Sequence, residues 1–139
     1  MSQLPACLIA AAAGIFLVLG LIHLLCTFHG SKLHPRDAQL IERMREVALV
    51  ITPETTMWKA WIGFNASHSY GAILFGLVYG YLALAHADFL FRSTFLLGLG
   101  LLTLVGYLVL GKLYWFRIPF RGIAIATALY VAALAIAFT

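Results

Sequence analysis

Charged residues interrupt this chain in few places, and the apolar runs between them are long. No Asp, Glu, Lys or Arg occurs from Met1 to Ser31, from Ala60 to Ala87, from Ser93 to Gly111, or from Gly122 to Thr139. A helix rises about 1.5 Å per residue and needs about 20 apolar residues to cross roughly 30 Å of hydrocarbon. All four stretches meet this requirement, the last two narrowly. The pattern predicts an all-α, four-transmembrane-helix bundle, a single integral membrane domain over residues 1–139 with spans at about 4–28, 58–85, 93–111 and 120–138.

The segments between spans carry patterns of their own. Between residues 36 and 51, apolar positions fall at Leu40, Ile41, Met44, Val47, Ala48 and Ile51, with Asp37, Glu42, Arg43, Arg45 and Glu46 around them. These intervals make one apolar stripe, so an amphipathic interfacial helix is predicted over 36–51. Thr52 then suits an N-cap, with Pro53 in the first helical position and Glu54 in the first turn. Trp58 and Trp61 would sit at the headgroup level as span two enters the bilayer. A short turn at His86-Ala87-Asp88 leads to span three. The 112–121 segment mixes Lys112, Arg117 and Arg121 with Tyr114, Trp115 and Phe116, another interfacial belt.

Apolar side chains gain little by leaving lipid for protein, so small residues and polar contacts must join the spans. Ala72, Gly76 and Gly80 recur every fourth residue in span two, and Ala124, Ala128 and Ala132 do so in span four. Gly100, Thr103 and Gly106 recur every third residue in span three. These ladders are expected to let backbones approach, within one chain or in a homo-oligomer.

Composition sharpens this picture. Of 139 residues, 63% are hydrophobic and 10% charged, far from the balance of soluble domains. Span one lacks the basic leader of a secretory signal and runs too long for one. Lys32, Arg36, Arg43, Arg45 and Lys59 follow span one, and Lys112, Arg117 and Arg121 follow span three. The opposite side has Arg92 alone. The positive-inside rule therefore puts loops 29–57 and 112–121 in the cytoplasm and both termini outside, in the cell membrane, which for a bacterial chain is the inner membrane. The net charge of +4 follows from that arrangement and gives no reason to expect a nucleic-acid partner. Cys7 and Cys26 lie about 28 Å apart along one helix, beyond disulfide reach.

The stretch GFNASHSYGA, residues 63–72, holds the candidate chemistry. At 100° per residue, Asn65, His68 and Ser69 share a sector with Ala72 and Gly76 and should face the bundle interior. His23 of span one sits on a face with Cys26, Gly20 and Phe16, at a depth matching His68. Three uses fit these residues. The first is hydrogen-bonding glue between helices. The second is a binding site in which Asn65, His68, Ser69 and His23 orient a lipid-like ligand or a membrane partner subunit in an inner-leaflet pocket, under the 36–51 helix as a lid. The third is redox: His23 and His68 as axial ligands to haem, or as metal ligands with Cys26 or His29. Nucleophilic catalysis is excluded for Ser67-His68-Ser69, whose neighbours diverge on a helix and lack an orienting carboxylate. Proton or ion pathways lack intramembrane Asp, Glu, Lys or Arg. His29, His34 and His86 are expected in wet surface positions.

The run Trp61-Ile-Gly-Phe-Asn-Ala-Ser-His-Ser69, followed by Tyr70–Gly76, resembles a set of small bacterial four-span integral membrane proteins of no assigned activity. That resemblance implies the layout of most of the chain and no functional residue. Size and span count are also similar to membrane glutathione and eicosanoid enzymes and to quinone-linked disulfide-forming proteins. Their intramembrane arginine and glutamate, or their cysteine pairs, are missing here. The expectation is a non-catalytic membrane protein that binds a hydrophobic ligand or partner subunit without a cofactor. A haem- or metal-dependent redox protein using His23 and His68 is the alternative.

Overall fold

A computed structural model describes residues 3–139. The elements in chain order are α1 (Gln3–Phe28), α2 (Ala38–Glu46), β1 (Ala48–Leu49), β2 (Thr52–Thr56), α3 (Met57–Ala85), α4 (Ala87–Arg92), α5 (Thr94–Tyr114) and α6 (Arg117–Ala137). The fold is all-α apart from one small antiparallel hairpin, β1 with β2. Helices α1, α3, α5 and α6 are each long and apolar enough to cross a membrane. Their outward side chains are apolar too, among them Ile22, Leu25, Phe64, Leu84, Leu102 and Val109, all exposed.

Two compact units divide the chain. One comprises the chain up to Leu19 together with Ala72–Thr139, and the other Gly20–Gly71. In the first, α1 and α3 come together where α3 has no side chain. A methyl group at Gly76 would lie 2.7 Å from Leu17 Cβ and 2.8 Å from Ala13 O and Leu17 N. Two of those atoms are backbone and cannot step aside, so only glycine allows this approach. Phe16 lies above the contact, 5.0 Å from the ring of Phe75 and 5.3 Å from that of Tyr107.

Helix α5 is gripped differently. Tyr79 of α3 donates its hydroxyl to Leu96 O at 2.6 Å, and Tyr130 of α6 donates to Leu97 O at 3.0 Å. Both rings lie over Gly100, where a Cβ would meet Tyr130 Oη and would stand 2.7 Å from Tyr79 Cε1. A large ring entering a glycine notch thus does the packing that a ladder of small residues was expected to do. The alanine ladder of α6 does not line the interior: Ala128 is exposed, and the buried stripe is Ile123, Ala126, Thr127, Tyr130 and Ala133. In α5 only Gly100 of its trio makes a close approach, since nothing lies within 4 Å of a Cβ at Gly106.

The connecting segments depart from expectation. The amphipathic helix is only Ala38–Glu46, with Asp37 as N-cap accepting from Gln39 N at 2.9 Å. Beyond it Val47 turns extended and the hairpin begins. Val47, Val50, Ile51, Thr52, Thr55 and Thr56 are β-branched, which favours strand over helix, while apolar periodicity alone favoured one long helix. Thr52-Pro53-Glu54 accordingly lies in β2 and does not open a helix. Capping passes to Thr56, whose Oγ1 accepts from Lys59 N at 3.4 Å. At the far end the expected turn at His86–Asp88 is largely helical, because α4 buries Leu90 and Phe91. Ser93 then caps α5, accepting from Leu96 N at 3.2 Å. The 112–121 segment shrinks to a two-residue link, Trp115-Phe116, with its cations carried on α5 and α6.

Gly76→Ala is expected to destabilise the protein by about 1–3 kcal/mol through overpacking. Gly106→Ala should be neutral or slightly stabilising, alanine being the better helix former by up to about 1 kcal/mol. Thermal melts of both variants in detergent, followed by circular dichroism, check the contrast.

Candidate functional site

In the Gly20–Gly71 unit, α1 and the start of α3 bring three of the predicted residues together. His23 Nε2 lies 3.0 Å from Asn65 Oδ1. The Asn65 amide nitrogen donates to Trp61 O at 2.8 Å, one turn earlier on α3. That second bond sets the amide orientation: its nitrogen faces the helix backbone, and its oxygen faces His23 as an acceptor. The His23 hydrogen therefore sits on Nε2, and in the neutral ring Nδ1 is the acceptor. Thr27 Oγ1 in turn donates to His23 O at 2.8 Å.

His68 completes the group. Its ring meets that of His23 edge to face, with centroids 5.2 Å apart and planes inclined at 68°. Both imidazoles and Asn65 are half-buried, and their chain neighbours Ile22 and Phe64 are exposed. Ser69 is placed otherwise. It is fully buried and donates to Asn65 O at 2.9 Å, its hydroxyl committed to its own helix. Ser67 does likewise, donating to Phe64 O at 3.0 Å.

The N-terminal end of α3 is tied to the segment after α1. Trp61 Nε1 donates to Leu33 O at 3.1 Å. Trp58 receives the ring of His34 edge-on at 4.9 Å and the guanidinium of Arg45 at 5.6 Å. The two tryptophans therefore hold α2 and the 30–35 turn against α3, in addition to any role at a headgroup boundary. That turn passes through Gly30, whose φ of +82° suits glycine. His34, expected as a surface histidine, is half-buried in this contact. Thr27 and the Trp61–Leu33 bond were missed in the sequence. The only local signals were the four-residue step from His23 to Thr27 and an indole close to a polar turn.

For coordination chemistry the group offers two imidazoles. Among the described residues, no three or more His, Cys, Asp or Glu side chains gather closely enough to hold a metal ion. His23 Nε2 already faces Asn65, so coordination would use Nδ1 or break that bond. The arrangement suits hydrogen bonding to a further polar group.

Fold and site together describe an all-α bundle with four helices able to cross a membrane and one His–Asn–His cluster joining two of them. No protein-family model, no curated protein and no solved structure matches the chain.

A double-mutant cycle with His23→Ala and Asn65→Ala is expected to give a coupling energy of about 0.6 kcal/mol, and no more than about 1.7. Unfolding of the four proteins in mixed micelles measures it. A coupling of zero would mean that the 3.0 Å contact contributes nothing.

Proposed function

We propose that this chain is an integral membrane protein that binds the polar head of a lipid-like amphiphile at His23, Asn65 and His68, without chemistry of its own. The observation that carries the reading is the hydrogen-bonded His23–Asn65 pair with His68 against it, half-buried and with the exposed chain neighbours Ile22 and Phe64. In hydrocarbon a polar group needs a polar partner, and ionisable side chains at depth point to function by default. Glue alone would be served better by sealing the cluster. A ligand whose head meets the imidazoles and whose tail lies on the neighbouring apolar surface satisfies both demands.

Catalysis has less support. The Ser67 and Ser69 hydroxyls are committed to their own helix. A partner subunit seated on the same cluster is the second source of the polar group. The stretch that resembles small bacterial four-span proteins is the one bearing Asn65 and His68. Sidedness follows from the cations: α1 ends, α3 begins, α5 ends and α6 begins amid Lys32, Arg36, Lys59, Lys112, Arg117 and Arg121. In this reading those helix ends face the cytoplasm and both termini lie outside.

Protein purified from its membranes in mild detergent should be colourless and carry an extractable amphiphile. His68→Leu and Asn65→Leu should each lower the amount retained by about tenfold, the loss of roughly 1.4 kcal/mol. Mass spectrometry of the extract with an optical spectrum is the measurement. A Soret band abolished by His68→Leu would replace this function with the haem reading. For sidedness, in a Cys7→Ser/Cys26→Ser background, a Thr139→Cys variant should react with an impermeant maleimide on intact cells. A Ser31→Cys variant should react only after permeabilisation.

A further inference from the structure

The corner where α5 turns into α6 holds a separate group of side chains. A cleft of about 310 Å³ opens there, lined by Lys112, Arg117 and Arg121 together with Trp115, Phe116 and Phe120. No carboxylate lines it. The ion pairs among the described residues lie elsewhere, Arg43 with Glu46 and Arg45 with Glu42. Lys112 Nζ instead stands 5.6 Å from the centre of the Phe120 ring. Three exposed cationic residues thus line one small space with no carboxylate among its walls. A sidedness bias accounts for basic residues near these helix ends, but not for their gathering in a cleft free of acids.

The chemistry of the walls names the occupant. Guanidinium groups bind phosphate oxygens through paired N–H donors, and an ammonium adds a point charge. The cations sit on the last turn of α5 and the first two turns of α6. Around the cleft, Leu113, Tyr114, Phe116 and Ile118 are 65%, 75%, 63% and 74% exposed, an apolar collar able to take acyl chains. A free inorganic anion would have no use for that collar.

We propose that the α5–α6 corner binds the phosphodiester of an anionic phospholipid, held by Lys112, Arg117 and Arg121, with its acyl chains on the collar of exposed apolar side chains. It shares with the His23–Asn65 site only the membrane setting.

The test incubates delipidated, tagged protein with mixed micelles of phosphatidylglycerol and phosphatidylcholine, then measures the lipids retained after washing. Wild type is expected to retain phosphatidylglycerol over phosphatidylcholine by about tenfold, since cations near the bilayer surface favour anionic headgroups. Lys112→Gln/Arg117→Gln/Arg121→Gln should bring the ratio near one. Lys32→Gln/Arg36→Gln/Lys59→Gln, which removes as many charges, should keep it. A wild-type ratio near one overturns the proposal. So does equal loss in the control variant, which would mark a general charge effect, or displacement of the lipid by millimolar inorganic phosphate. Should the first triple variant fail to fold, the wild type decides: raising NaCl from about 0.05 to about 0.5 M should abolish the preference, and a preference indifferent to salt overturns the idea. Retention of the amphiphile at His68 is a separate readout, which the first triple variant should leave unchanged.

Discussion

Helix α3 can lie against α1 only because residue 76 has no side chain, and the first unit depends on that contact. Backbone atoms of Ala13 and Leu17 stand where a Cβ would go, so nothing short of moving a helix would admit one. Apolar helices in an apolar surrounding have no hydrophobic drive to associate. Close backbone approach and the dispersion contacts it permits must supply it. With α3 in place, Phe75 and Tyr79 stack at 4.6 Å and Tyr79 reaches the backbone of α5. Gly100 repeats the device in another form, its missing side chain leaving the space that two tyrosine rings fill.

Polar groups follow a consistent rule. Hydroxyls on the long helices mostly bond back to their own helix: Thr27 to His23 O, Ser67 to Phe64 O, Ser69 to Asn65 O, Thr103 to Leu99 O and Thr127 to Ile123 O. Such bonds satisfy the hydroxyl without joining anything. Among the described residues no buried side-chain nitrogen or oxygen lacks a hydrogen-bond partner. Against that background the few polar contacts between long helices stand out: Tyr79 and Tyr130 to α5, and His23 to Asn65. The first two close over Gly100 deep in the bundle. The third is half-buried.

The segments that join the long helices show where pattern reading reaches its limit. From Leu40 to Ile51 the apolar spacing fits one helix, yet the helix stops at Glu46. The stop is set by β-branched residues and by the pairing of β1 with β2, extended by Met57 N at the start of α3, which donates to Val47 O at 2.9 Å. The partner strand lies several residues away and leaves no mark on the spacing. In α6 the alanine ladder likewise looked like an interface, but Ile123 and Tyr130 are the residues that find glycine-shaped gaps on the neighbour. Small residues permit an approach, and a matching bulk opposite decides whether it happens.

Taken by itself, the order of residues determined how many long helices there are and their ends to within a few residues. Those properties are local: hydropathy accumulates along the chain, charges break it, and 1.5 Å per residue converts residue count into helix length. Tertiary structure decided which small residues are used, that Ser69 is sealed while His68 stays half-buried, and that Lys112, Arg117 and Arg121 line one cleft. Such outcomes depend on the rotation of each helix about its axis and on the shape it meets. Both arise from side chains far apart in the chain, which no window along the sequence contains.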